Sequence, residues 1–284
     1  MSIRDYLKEI NIASLSREAG LPYSTVNEIA NGKKSLEKCS AGTVYSLAVA
    51  LGTTVEKLLV AEKSSRFPDL FSLNEKQSIF LARRLRDENI YCGMKMENRN
   101  VTFPQTKTIL DGVNVPDVRL EDITAILNMR DAWEYLLGTT EVKPDLDYFC
   151  KLNGFIARNE ALEWGVLRTG NVGISGTDYH PSVPVREKVE KDIRKILTSY
   201  DSTTEKALTL FCYMTYNQLF WDGNKRTAMV AANKILLSRG AGIMTIKDYD
   251  MEVFNTLLSD MYNTGHNDEL KEFLYAKAIQ GMRV

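Results

Sequence analysis

The sequence predicts an all-α protein in two parts. A helix-turn-helix bundle over residues 1–62 is followed, past a polar linker at 63–74, by a larger helical core over 75–284 that carries one small β-hairpin flap. Three observations predict it. Apolar residues recur at helical spacing through 208–216 and again through 229–237. Gly240 stands where the second run stops, and the Asp-Gly-Asn turn at 222–224 separates the two. Strand-like alternation is scarce, the one clear instance being Val172 and Ile174 ahead of Ser175-Gly176. With 284 residues, of which 44% are hydrophobic, the chain exceeds one typical domain and has enough apolar side chain for real cores.

Ile12 to Ala19 reads as a short helix, Gly20-Leu21-Pro22 as a turn, and Tyr23 to Ala30 as a second helix that Asn31-Gly32 ends. This is a helix-turn-helix pattern. Thr43 to Leu51 forms a further helix stopped by Gly52, and Val55 to Val60 supplies a closing apolar turn. Ala61 to Pro68 is polar and ends in proline, as a linker does. Near the other end, Phe254 to Ile279 reads as two helices separated by Asn263-Thr264-Gly265-His266-Asn267.

The formal net charge is −1, and no apolar stretch is long enough to span a membrane. The polar opening Met1 to Lys8 is unlike a signal peptide, so a cytoplasmic location is expected. Cys39, Cys92, Cys150 and Cys212 lie far apart and form no Cys-x-x-Cys pair, which makes them small buried hydrophobes.

The most informative stretch is Gln218-Leu-Phe-Trp-Asp-Gly-Asn-Lys-Arg-Thr-Ala228. An apolar helix runs into an Asp-Gly-Asn turn that opens the next helix. Gly223 lets backbone approach a phosphate, the new helix N-terminus points its amides at it, and Lys225 and Arg226 add positive charge. Asp222 is placed to hold a hydrated Mg2+. An ordinary turn between two core helices is the plainer reading of this stretch taken alone.

Phe220, Asp222, Gly223, Asn224, Lys225 and Arg226 resemble the active-site loop of the Fic/Doc (Fido) family, in which a histidine precedes the phenylalanine by two residues. Here that position is Gln218. A carboxamide neither takes nor gives a proton near pH 7, so the family's general base is missing. A second region resembles the same family: Asn153, Arg158, Trp164 to Arg168, then Val172, Ile174, Ser175, Gly176, Thr177 and Tyr179. The resemblance implies that Ile174, Ser175, Gly176 and Thr177 form a flap that lines up a target segment by strand addition.

Gly93 to Asn98 resembles the family's inhibitory helix, expected here near 88–98. It keeps Glu97 and Asn98 but has Gly93 in place of Ser or Thr. The family's Glu pairs with a second loop arginine, and that position is Met229. Glu97 is then left to Lys225, Arg226 or water, or stands as a solvated helix-end carboxylate.

Residues 1–62 resemble the Cro-repressor-like helix-turn-helix family. That resemblance implies that Ser24, Thr25, Asn27 and Glu28 face a major groove while Val26 and Ile29 hold the helix to its core. Lys33 and Lys34, with Lys38, supply a basic face after the recognition helix. The segment contains seven Lys and Arg and seven Asp and Glu, so its net charge is zero and phosphate attraction is weak unless those charges sort by face. A protein-interaction or dimerisation module is the alternative on the same fold.

Taken together, the resemblances imply a Mg2+- and ATP-binding loop related to enzymes that transfer AMP to protein hydroxyls. The catalytic positions are Gln218, Asp222, Asn224 and Arg226, and the nucleotide contacts are Phe220, Gly223, Asn224, Lys225 and Arg226. Without its base the site is weak or inactive. The targets are another protein or the chain itself, and a homodimer on a DNA operator is implied for the first part. Two alternatives stay open: a non-catalytic regulator (a pseudoenzyme) whose core senses nucleotide or a partner, and a Doc-like phosphotransferase, to which Lys225 points. Of the two histidines, His266 falls in a polar break and His180 follows the flap.

Overall fold

Asn11 starts the helix Ile12–Ala19 by accepting hydrogen bonds from Ala13 and Ser14 with its side chain, and Gly20 at φ 63° stops it. The structure, a computed structural model, describes residues 7, 10–31, 33–63, 65–174 and 176–282. Gly32, expected at a helix end, and Ser175, expected in the flap, lie outside them. The chain divides into two compact units, Met1–Pro68 with Tyr200–Glu205, and Asp69–Ser199 with Lys206–Val284.

In the first unit, α1 (Ile12–Ala19), α2 (Tyr23–Ala30), a 3₁₀ turn (Leu36–Lys38), α3 (Ala41–Ala50) and α4 (Val55–Lys63) surround one core. Leu15, Val26, Ile29, Leu36, Val44, Leu47 and Leu58 form its centre. Val26 and Ile29 are buried, as their spacing on α2 predicts. Helix α3 starts at Ala41 because the Ser40 hydroxyl accepts from the Thr43 amide at 3.2 Å.

The second unit holds α5 (Glu75–Met96), α6 (Phe103–Leu110), α7 (Leu120–Gly138), α8 (Leu146–Ile156), α9 (Arg186–Ser199), α10 (Thr203–Asn217) from Lys206 onward, α11 (Asn224–Leu237), α12 (Met251–Thr264) and α13 (Asp268–Phe273). Strands β1 (Ile243–Met244) and β2 (Ile279–Gln280) make a two-stranded antiparallel sheet, with Ile243 opposite Gln280 and Met244 opposite Ile279. Helices α5 and α6 each begin with a reciprocal cap, Asn74 with Gln77 and Thr102 with Gln105.

Helix α11 is the axis of this unit. It packs on α5, α7, α8 and β1, and every residue in it except Lys225 is buried. A helix sealed on all sides must satisfy its polar side chains internally. Asn233 does so against β1, donating to the Met244 carbonyl at 2.9 Å and accepting from its amide at 2.7 Å. The Lys234 ammonium donates to the carbonyls of Thr139 and Thr140 at 2.5 and 2.7 Å, at the end of α7.

The fold is all-α, and its small sheet is not where the hairpin was expected. Among the described residues, no strand is formed at 171–180. Val172 to Ile174 has no regular secondary structure and leads into a turn closed by the Thr177 amide on the Ile174 carbonyl at 3.2 Å. A ladder needs a second strand beside it, and the two glycines Gly173 and Gly176 favour turning over pairing. The cysteines are all free; Cys92, Cys150 and Cys212 are buried and Cys39 is half-buried. Among the described residues no single helix is long and apolar enough to cross a membrane.

Candidate functional site

Residues 218–223 connect α10 to α11, and one side chain shapes the connection. Asn224 accepts from the Phe220 amide at 2.9 Å and donates to the Phe220 carbonyl at 2.8 Å, closing the loop on itself. The Phe220 ring is buried in the core, so this residue anchors the loop and the cleft lining runs on either side of it. Gly223 sits at φ 69°, and a Cβ there would come within 3.0 Å of Ile156 Cγ2. Asn153 on α8 fastens the same turn, donating to the Asp222 carbonyl at 2.9 Å and to the Thr227 hydroxyl at 3.2 Å.

No side chain caps α11. The amides of Asn224, Lys225 and Arg226 therefore open the helix with the positive end of its dipole uncompensated by a cap. Gly223 donates its amide to Asp222 Oδ1 at 2.5 Å, and the Asp222 carboxylate is otherwise half exposed.

Arg226 is 1% exposed and sits among three carboxylates. Its Nη1 and Nη2 donate to the two oxygens of Glu160 at 3.0 and 3.2 Å, its Nε is 3.6 Å from Glu97 Oε1, and its Nη2 is 3.8 Å from Asp222 Oδ1. Burial alone would favour the neutral form. Glu97, Glu160 and Asp222 outweigh it and hold the guanidinium above its usual pKa. Arg226 Nε is buried with no hydrogen-bond partner among the described residues. Glu160 is itself held by Arg99, which also meets Asp122 at 2.8 Å.

Glu97 closes α5 and pairs with Lys225, Oε2 to Nζ at 3.1 Å, while Lys225 also donates to the Met96 carbonyl at 2.5 Å. A solvated helix-end carboxylate is thus not what the structure places there: the Glu97 side chain is 20% exposed and doubly paired. Met229 is buried beside Gly93, with its Cε 3.5 Å from where a Gly93 Cβ would stand. The two departures from the family pattern are neighbours, and Met229 shares the room that a glycine leaves with Met129, whose Cε is nearer at 3.0 Å.

A cleft of about 580 Å3 opens over the loop. Its lining brings together Glu97, Asn98, Ile174, Thr177, Gln218, Asp222, Asn224 and Lys225. An adjoining chamber of about 500 Å3 adds Arg226, Arg99 and Glu160. Gly176 is exposed at the turn tip. Gln218 has a positive φ of 45°, and its Nε2 donates to the Thr215 carbonyl at 2.7 Å and to the Tyr262 hydroxyl at 3.2 Å. No histidine lines the cleft among the described residues; His180 is exposed.

The far wall was missed in the sequence. Asn255, Leu258, Ser259 and Tyr262 face the cleft from α12. Their spacing of 3, 4 and 7 marks one helix face, which is a readable signal, but nothing in it says that the face meets a cavity. Tyr262 is buried, and burial first, then the Glu97 charge, raises its phenol pKa. Glu160, two residues past Arg158, carried no signal of its own. Arg158 itself pairs with Asp131 at 2.8 Å and donates to Asn128 Oδ1 at 3.2 Å.

In the first unit Ser24 and Lys33 are exposed, and Thr25, Asn27 and Lys34 are half-buried. Asn27 accepts from Asn31 Nδ2 with both its carbonyl and its side chain, at 2.8 and 2.9 Å.

Residues 143–236 match the Fic/DOC family and residues 7–64 the Cro/C1-type helix-turn-helix DNA-binding domain. No curated protein matches the sequence significantly. Among solved structures, a Fic family protein from Desulfovibrio desulfuricans is similar at 18% identity and a TM-score of 0.59, over 69% of this chain. The match takes in 63% of that structure, less than two thirds of its length. A Fic domain containing signaling protein from Bacteroides thetaiotaomicron matches at 18% identity and 0.59, over 72% of this chain and 86% of that one. A segment of Fic-1 from C. elegans matches at 17% identity and 0.58, over 93% and 92%. At these identities the likeness is one of fold.

Proposed function

From a chain that carries a Fic/DOC domain behind a Cro/C1-type helix-turn-helix domain, we propose that the loop at 218–226 binds the phosphates of ATP with Mg2+ and transfers AMP to a protein hydroxyl weakly or not at all. One observation carries the reading: a buried arginine whose Nε–H has no acceptor stands at an uncapped helix N-terminus. Both features are donors awaiting anionic oxygen.

In this reading Lys225, Arg226 and the amides of residues 224–226 neutralise phosphate charge. Asn224 and Gly223 hold those amides in place by shaping the loop. Asp222, half exposed at the loop, suits Mg2+, which takes one or two carboxylates beside phosphate oxygens and waters, and the metal would offset charge on those oxygens. Leu258 and Tyr262 give the base an apolar wall. Glu97, which occupies Lys225 and lies against Arg226, competes with the phosphates for both cations.

Transfer forms a bond from the hydroxyl oxygen to the α-phosphorus, breaks the bond to the β-phosphate bridging oxygen and releases pyrophosphate. The hydroxyl proton must leave, and Gln218 cannot take it. Its amide nitrogen is committed to Thr215 and Tyr262, which leaves Oε1 to accept a hydrogen bond and orient the hydroxyl. A missing base costs about a hundred- to ten-thousand-fold in rate. Positioning and charge neutralisation are unaffected by that loss.

The test is incubation with Mg2+ and ATP labelled at the α-phosphate, with native protein and Gln218→His side by side. Retention of nucleotide by both, with covalent label only on Gln218→His, is the expected result. No nucleotide retained by either protein would overturn the proposal.

A second reading is favoured by the helix-turn-helix match over 7–64: the loop senses nucleotide for a DNA-binding regulator without any transfer. Gel-shift titration against the DNA upstream of its own coding sequence at low salt tests it, and no shift at micromolar protein would count against it.

A further inference from the structure

Arg168 is 1% exposed and, unlike Arg226, has no carboxylate within ion-pair distance among the described residues. A buried guanidinium without a counter-ion is costly unless its donors are all met. Here backbone carbonyls meet them. Nε donates to Gln218 at 2.6 Å, Nη1 to Gly170 at 2.5 Å, and Nη2 to Pro181 at 3.0 Å and Ser182 at 2.7 Å, with Asn217 at 3.4 Å. Asn217 ends α10, so the charge also sits at the negative end of a helix dipole.

Those carbonyls belong to three places. Gly170 and Pro181 are the two ends of the flap, and Asn217-Gln218 is the point where α10 gives way to the phosphate loop. The Arg168 backbone amide adds a fourth tie, to the Leu219 carbonyl at 3.1 Å. Gln218 is held at φ 45°, a conformation that a residue with a side chain keeps only where its surroundings over-determine it. Arg168 contributes by bonding the carbonyls of Gln218 and Leu219, alongside the Gln218 side chain's own bonds to Thr215 and Tyr262. Within the flap, Tyr179 stacks on Tyr216 of α10 at 4.4 Å between ring centroids, and Thr177 closes the turn at Ile174.

We propose that Arg168 is a positioning residue that staples both ends of the flap to the start of the phosphate loop, and so sets how far Val172, Ile174 and Thr177 stand from Lys225 across the cleft. Its effect on ligand binding rests on the nucleotide reading above. Its effect on the flap does not. A lysine at this position keeps the charge and three donors but cannot spread them over three segments as a planar guanidinium does.

The experiment uses the full chain with Arg168→Lys and Arg168→Met, amide hydrogen exchange read by peptide, and titration with Mg-ATP. The expected result is exchange at 171–180 faster by about tenfold in Arg168→Met and less so in Arg168→Lys, while α11 stays protected as in the native protein. Mg-ATP affinity is expected to fall several-fold in the same order. Unchanged exchange at 171–180 in Arg168→Lys and Arg168→Met overturns the proposal, and so does equal loss of protection throughout Asp69–Val284. If Arg168→Met does not fold, Arg168→Lys decides by the same criteria. Should native protein fail to bind Mg-ATP while the flap still loosens, the nucleotide reading falls and the staple stands. Should native protein and both variants bind Mg-ATP alike, with flap exchange unmoved, the staple falls and the nucleotide reading stands.

Discussion

The Glu97 carboxylate reaches the Lys225 ammonium at 3.1 Å, joining the end of α5 to the beginning of α11 across the mouth of the cleft. Lys225 is the one residue of α11 that is not buried, so in the proposed function the pair sits where a phosphate would enter. Glu97→Gln removes the competing charge and keeps the shape. A partly exposed ion pair of this kind is worth up to about 1 kcal/mol, so Mg-ATP affinity should rise about fivefold, measured by calorimetric titration. Unchanged or weaker binding would mean that Glu97 does not compete.

Gly223 is the position where the loop tolerates least. Gly223→Ala must hold φ near 69° and push its methyl against Ile156 at 3.0 Å. Chemical denaturation should show a loss of about 1–3 kcal/mol. Nucleotide binding should weaken as well, since the amides of α11 shift with the turn. Wild-type stability in this variant would show that the turn is soft.

Lys234 makes folding depend on pH. Burial lowers its pKa from 10.5 to about 8. Below pH 8 both states carry the proton. Between about 8 and 10.5 the unfolded chain still binds it and the folded one does not, so stability rises with pH through that window. The buried thiols of Cys92, Cys150 and Cys212, raised to between about 11 and 12, act in the opposite direction above pH 9. The difference between native protein and Lys234→Met therefore carries the test. The native curve should climb relative to the variant from pH 8 to 10, and parallel curves would show that the ammonium titrates normally.

Lys33 and Lys34 follow the helix that carries Ser24 and Asn27. If this face meets DNA phosphates, Lys33→Ala with Lys34→Ala lowers affinity for all sequences and reduces the slope of log K against log salt by about 2. A slope unchanged by both substitutions would remove these lysines from the interface.

Helices α1 and α2 were legible to the residue, because Asn11, Gly20 and Pro22 punctuate them locally and Val26 and Ile29 share one face. The loop was legible because its parts are contiguous: Gly223 turns, Asn224 begins the helix, and two cations follow. The flap was legible only as a non-helical segment. Val172 and Ile174 alternate as a strand does, but pairing depends on a neighbour that the sequence does not name.

Local pattern thus determined the helical class, the helix-turn-helix elements and the place of the Asp-Gly-Asn turn at 222–224, since capping, period and turn chemistry act over a few residues. Packing alone decided which distant charges meet. Glu97 found Lys225 and Arg226 in place of the absent second arginine, Glu160 became the bidentate partner of Arg226, and Arg168 gathered the carbonyls of three separate segments. The Glu97 and Glu160 contacts need elements brought together by a buried helix, α11, and the Arg168 contacts need both ends of the flap brought to the end of α10, and in each case the neighbours are chosen by the shape of the whole core rather than by any adjacent residue.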